Sequence, residues 1–272
     1  MSAVPDITAR PVEVPVRVSD VATVVRADNA GIMTLDGTNT WILRAPGASR
    51  SVVVDPGPDD PRHLDVVLEV AGEVAVVLYT HWHGDHTDAI DTMVSRTGAP
   101  ARARDAAWCR AADPLGDGEV VEVDGLRLEV VPTPGHTADS TCLLVEADDA
   151  LLTGDTILGR GTTIIAHPDG ALGPYLSSLD RIGDLVSSGR ATTFYPAHGP
   201  VLPDAHGVVD FYRAHRLERL DQVRAAVAGG AVTAREVVER VYAEVDESLW
   251  PAAERSVEAQ LEHLRTERSD EV

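Results

Sequence analysis

Lysine is absent from this 272-residue sequence: all 23 basic residues are arginine, set against 44 acidic ones for a formal net charge of −21. A field that negative repels polyanions over most of the surface. Nucleic-acid binding would need a local basic groove, and no cluster of arginines marks one along the chain. Cysteine is scarce too. Cys109 and Cys142 are too few for a disulfide framework and form no CxxC metal pair, which points to two buried thiols in a reducing compartment. No run of about 18 apolar residues occurs, which argues against a membrane span. Residues 1–25 lack the basic and apolar regions of a secretory signal, so the expected location is the cytoplasm.

What is present is a mixed strand and helix pattern. Residues 38–43 and 51–54 read as strands, the second halted by Asp55-Pro56-Gly57-Pro58. Leu64, Val67 and Leu68 recur at helical spacing over 63–70. Residues 74–79 are almost continuously apolar, as in a strand buried on both faces. Further strands are expected at 120–123, 126–131, 141–145, 150–152 and 193–195, with a helix over 175–186. From residue 205 the pattern turns helical and predicts three short helices in a small appended module. The second opens with a capping box from Thr233 to Glu236, with Val232 and Val237 placed as its hydrophobic staple. The third opens at Pro251. The expected division is residues 1–204 and residues 205–272.

The strand ending at Tyr79 runs into Thr80-His81-Trp82-His83-Gly84-Asp85-His86, three histidines and a carboxylate within six positions. Imidazole and carboxylate suit Zn²⁺ when deprotonated. His81 and His83, two residues apart as the chain leaves a strand, can share one metal; Gly84 permits the bend that turns Asp85 and His86 toward a second. Two metal shells need more ligands. His136, Asp155 and His198 supply them, each in a loop just after an expected strand. The remaining histidines attract less. His63, His206, His215 and His263 fall on expected helices, where a solvated or capping role is the plain reading. His167 follows the Asp155 loop closely enough to line a pocket, and Trp82 is expected to pack under the metal loop.

The ordered set His81-x-His83-x-Asp85-His86, His136, Asp155 and His198 resembles the metallo-β-lactamase superfamily of αββα hydrolases. The resemblance spans roughly residues 20 to 200. It implies an α/β sandwich of two sheets flanked by helices, with His81, His83 and His136 on one zinc, and Asp85, His86 and His198 on the other. Asp155 would bridge the two, and Asp55 would support the metal loop from outside. Gly37-Thr38-Asn39-Thr40-Trp41, Gly154-Asp155-Thr156-Ile157-Leu158-Gly159 and Tyr195-Pro196-Ala197-His198-Gly199-Pro200 look like the β-lactamase-like protein 2 group. That group carries a C-terminal winged-helix-like module, and its relatives include single-strand-selective endoribonucleases and thioesterases.

The chemistry so implied is hydrolysis at two zinc ions per chain sharing one hydroxide, with Asp85 also orienting that hydroxide and carrying its proton. Two Zn²⁺ against Asp85, Asp155 and hydroxide leave about +1 at the centre, which suits an anionic substrate despite the acidic exterior. Di-iron relatives have a carboxylate where this chain has His83, so a third imidazole favours zinc. Large RNA-cleaving members insert a domain between the last two ligands, whereas only 43 positions separate Asp155 from His198. Residues 205–272 hold nine arginines and fourteen acidic residues, a net of −5, where a nucleic-acid-reading module would be basic. The expected substrate is therefore a small ester or thioester, with single-stranded RNA second. The module's expected role is a lid or a homodimer surface. A reading from another class, a metal-stabilised binding or regulatory module, fits less well, because a structural zinc site is closed by four ligands.

Overall fold

A computed structural model describes residues 5–270. Two sheets face each other. The first has six strands in sequential order: β1 (Val16–Arg17), β2 (Ala22–Arg26), β3 (Asn39–Leu43), β4 (Arg50–Val54), β5 (Glu73–Leu78) and β6 (Ala101–Arg102). Strands β1 to β4 pair antiparallel, and β4, β5 and β6 are parallel. The second sheet comprises β7 (Val120–Val123), β8 (Leu126–Pro132), β9 (Thr141–Val145), β10 (Ala150–Gly154) and β11 (Thr193–Pro196), in the order β11-β10-β9-β8-β7. Only its β10–β11 pair is parallel.

Period-two alternation explains the layering. Trp41, Leu43, Val52, Val54 and Leu78 of the first sheet meet Leu126, Leu128, Val130, Leu143 and Leu152 of the second. The alternate residues Ile42, Val53 and Val77 face outward onto helices α1 (Pro61–Ala71) and α3 (Ile90–Thr97), chiefly through Leu64, Val67, Ile90 and Met93; the short helix α2 (Gly84–Thr87) precedes α3. Because both faces are covered, β5 reads as a continuous apolar run. On the other side, Val131, Leu144 and Leu151 pack against α4 (Leu172–Ser187) and α5 (Ala205–Ala228). Helices α6 (Ala234–Val241) and α7 (Trp250–Asp270) add Val237, Val238 and Val257 to that same cluster. The appended helices thus share a core with the outer face of the second sheet.

The expected strands and α1 fall where the periodicity put them, and α4 begins three residues earlier than expected. The C-terminal helices differ in length: α5 has 24 residues and α7 has 21. Helix α6 starts with the expected capping box. Val232 does not close a staple, since it is 83% exposed while Val237 is fully buried. Among the described residues no helix is long and apolar enough to cross a membrane.

Candidate metal centre

Four strand ends deliver the side chains. At the end of β4 the chain turns at Asp55 (φ 48°), and Asp55 accepts hydrogen bonds from the Thr80 backbone N–H (2.8 Å) and hydroxyl (2.7 Å) just past β5. This pins the segment that carries His81 and His83. Helix α2 begins at Gly84, putting Asp85 and His86 on its first turn. His136 follows β8 through Gly135, whose φ of +143° and close approach to α4 leave no room for a side chain: a Cβ there would sit 2.4 Å from the Tyr175 Cα. Asp155 ends the β10 turn and His198 the β11 turn. All seven residues expected from the sequence come together, in two groups whose polar atoms lie within 4.8 Å of one another: His81, His83, His136 and Asp155; and Asp85, His86 and His198.

In the first group, His81 Nε2 lies 2.9 Å and His136 Nε2 3.1 Å from His83 Nδ1. In the second, Asp85 Oδ2 lies 3.4 Å from His86 Nε2 and 3.2 Å from His198 Nε2. Asp155 faces both. Its Oδ2 is 3.7 Å from His136 Nε2, and its Oδ1 is 3.2 Å from His198 Nε2 and 3.7 Å from His86 Nε2. Ligand atoms around a tetrahedral zinc stand about 3.3 Å apart, so these separations suit a cation at each focus. His86 Nε2 and Asp155 Oδ1 are fully buried without a hydrogen-bond partner, a costly state for polar atoms that metal coordination would relieve. The donor set therefore fits two metal ions.

The electrostatics divide the same way. Burial lowers His81, His83 (to about 4) and His136, so that triad is neutral and its lone pairs are free. Burial also opposes charge on His86 and His198, but there the carboxylates outweigh it. Asp85 with Asp55 raises His86 to about 9, and Asp155 with Asp85 raises His198 to about 11. For Asp85 and Asp155, burial works against ionisation, and the facing imidazoles nevertheless hold both carboxyls well below the usual range.

Outer contacts orient the rings. His136 Nδ1 donates to the Ile164 carbonyl (2.7 Å) and lies 3.0 Å from the Thr163 hydroxyl, leaving Nε2 for the first group. His86 Nδ1 sits 3.0 Å from Asp55 Oδ2. The Thr38 hydroxyl donates to Asp85 Oδ2 (3.2 Å). Two expectations need correction. His63 is not solvated: it is fully buried, with Nδ1 2.8 Å from Glu13 and Nε2 2.8 Å from the Thr40 hydroxyl, which donates to the Asp55 carbonyl. A polar residue on the apolar stripe of α1, one position from Leu64, was the available signal. Trp82 does not pack under the loop; it is 40% exposed and its indole N–H reaches Asp169. His167 does line pockets, two surface grooves shared with residues of α6 and α7. Sequence reasoning missed Glu13, Thr40, Tyr212 and Arg216, whose partners are remote along the chain.

Residues 33–198 match the Metallo-beta-lactamase superfamily, and residues 233–268 match the Beta-lactamase associated winged helix domain. The chain is 32% identical to a Beta-lactamase-like protein 2 homolog of Caenorhabditis elegans, covering 91% of this chain and 85% of that one. It is 34% identical to an atrochrysone carboxyl ACP thioesterase of Aspergillus chevalieri, covering 83% of this chain and 74% of that one. Among solved structures, a beta-lactamase domain protein from Burkholderia ambifaria superposes with a TM-score of 0.77 at 21% identity, over 93% of this chain and 88% of that chain.

Proposed function

The chain belongs to the metallo-β-lactamase superfamily, whose members are generally hydrolases, and from that premise we propose that it is a binuclear zinc hydrolase of a small ester or thioester. One observation carries the binuclear reading: Asp155 directs one carboxylate oxygen at each cluster, as a ligand shared by two cations would. In this reading His81, His83 and His136 hold one zinc, Asp85, His86 and His198 the other, and Asp155 both. With both ions bound, the centre would supply a water activated near neutral pH and an electrophile for the substrate's carbonyl oxygen. Asp85 does the chain's own share of proton handling. Its Oδ2 is taken by Thr38, His86 and His198, which leaves Oδ1 to orient the attacking water and accept its proton. Asp85 is also the more open of the two carboxylates, with 26% of its side chain exposed against 10% for Asp155.

A thioester is favoured by the named thioesterase relative and by charge. The arginines of residues 205–272 are largely committed within the chain. Arg213 pairs with Asp180, Arg224 with Asp221 and Glu267, and Arg235 with Glu239 and Glu254. Arg240 donates to the carbonyls of Ala226 and Gly229. Few are left for a phosphate backbone, so single-stranded RNA ranks second. Residues 1–204 carry the chemistry, in a cytoplasm that suits the two free thiols. The test combines metal analysis with turnover of an acyl thioester and of single-stranded RNA. We expect two zincs per chain, chelator-sensitive thioester cleavage and at least a thousandfold loss in Asp85→Ala, about 4 kcal/mol of transition-state stabilisation. RNA cleavage that chelator abolishes would reverse the substrate ranking, and an Asp85→Ala protein as fast as wild type would overturn the mechanism.

A further inference from the structure

Arg216 is a buried cation without an anion. It is 7% exposed on α5, and no carboxylate forms an ion pair with it among the described residues. Burying a guanidinium unpaired is costly, and a methionine of similar reach would pack the same space without that cost. Stability alone does not account for it. What the guanidinium does is hold backbone: its Nη2 donates to the Thr163 carbonyl at 2.5 Å, and the group stands 5.1 Å over the Tyr175 ring.

The segment it holds is the one that orients a metal-facing ring. Thr163 places its hydroxyl 3.0 Å from His136 Nδ1, and the next carbonyl, Ile164, accepts from the same nitrogen. Two further anchors fix the start of the segment. The Tyr175 hydroxyl donates to the Thr156 carbonyl (2.7 Å), and the Tyr212 hydroxyl accepts from the Leu158 N–H (2.8 Å). Residues 156–164, which leave Asp155 and return to His136, are therefore clamped from α4 and α5. Holding the Thr163 carbonyl holds the plane of the 163–164 peptide, which leaves only the φ and ψ of Ile164 between that fixed plane and the carbonyl that accepts from His136.

We propose that Arg216 is a positioning residue for His136, through which the C-terminal helices set metal affinity at the His81–His83–His136 cluster; this rests on the metal-centre reading above. Outer partners of metal-bound histidines change affinity by about 10- to 100-fold, and Arg216 acts one step further out, so the lower end applies.

The experiment is a zinc titration of full-length protein against a chromophoric chelator, with wild type, Arg216→Met and Arg216→Lys. Arg216→Met is expected to weaken one of the two zinc equivalents about tenfold and leave the other unchanged, while the metal-free protein melts close to wild type. Arg216→Lys, which keeps a donor, should recover part of the loss and keeps the test informative should the methionine variant fold poorly. Cobalt-loaded Arg216→Met should show an altered visible spectrum at that same equivalent only. Equal affinities in wild type and both variants overturn the inference, as does an equal loss at both equivalents that tracks lost stability. Wild type that binds no zinc sinks the metal-centre reading itself, and this inference with it.

Discussion

Substituting alanine for His63 removes two hydrogen bonds of 2.8 Å from a fully buried ring. The bond to the Glu13 carboxylate involves a charged acceptor and contributes about 1.5–3 kcal/mol, and the bond to the Thr40 hydroxyl about 1 kcal/mol. Part of this is recovered. Glu13 keeps 22% of its side chain exposed and can turn to water, and the Thr40 hydroxyl keeps its bond to the Asp55 carbonyl. A net cost of about 3 kcal/mol follows, which in a chain of this size lowers the melting temperature by roughly 6–12 °C. Glu13→Ala should cost about 2 kcal/mol, and the double variant about 3 instead of 5, a coupling of about 2 kcal/mol. Urea denaturation of the metal-free protein, with thermal melts alongside, measures all four species. Costs that add to within about 0.5 kcal/mol would refute the His63–Glu13 bond, because two residues that do not share a contact are expected to behave so.

Gly135→Ala forces a Cβ to within 2.4 Å of both Tyr175 Cα and Cβ at a backbone φ of +143°. It should destabilise by more than about 3 kcal/mol and lower zinc content by moving His136; a variant melting within about 2 °C of wild type with full zinc would count against the packing described. Burial pushes the Cys142 thiol up to about 11, so it stays protonated and unreactive at pH 8, and its thiolate accumulates only as pH approaches that value. A thiol reagent at pH 8 should find at most one fast group in the native protein, Cys109, and two after unfolding; two fast groups in the native state would contradict this.

The seven clustered histidines and aspartates were legible because each sits at or just past the end of a strand, and strands announce themselves through apolar runs. Their order along the chain and their chemistry did the rest. Helix α3 and strands β1, β2 and β6 were not legible: β1 and β6 have two residues each, too few for a period, and α3 is a short helix whose apolar stripe amounts to Ile90, Met93 and Val94. His63 misled for a different reason. Histidine is intermediate in burial, so its type does not decide its side, and the burial of His63 depends on Glu13, fifty positions earlier, and on Thr40, neither of which local pattern connects to it. Arg216 is the same case on α5, where a cation occupies the buried stripe between Tyr212 and Leu220. A charged or titratable residue on the apolar face of a helix is a local inconsistency that sequence does show. What the sequence withholds is the partner.

The two inconsistencies have a common consequence for the metal centre. His63 stands behind Thr40 and the Asp55 carbonyl, on the side of His86. Arg216 stands behind Thr163, on the side of His136. Asp55 also pins the segment that carries His81 and His83, so α1 backs both clusters through it, while α5, on the other outer face of the sandwich, backs His136. Stabilisation by apolar burial is non-directional and cannot hold an imidazole to a few tenths of an ångström, whereas hydrogen bonds whose partners are themselves fixed can. The outer helices therefore do two separate jobs: their aliphatic stripes cover the sheets, and single polar residues within those stripes hydrogen-bond the segments beside the clustered imidazoles. The appended helices fit this division on their buried side, where Arg216 of α5 donates to the Thr163 carbonyl in the loop beside His136.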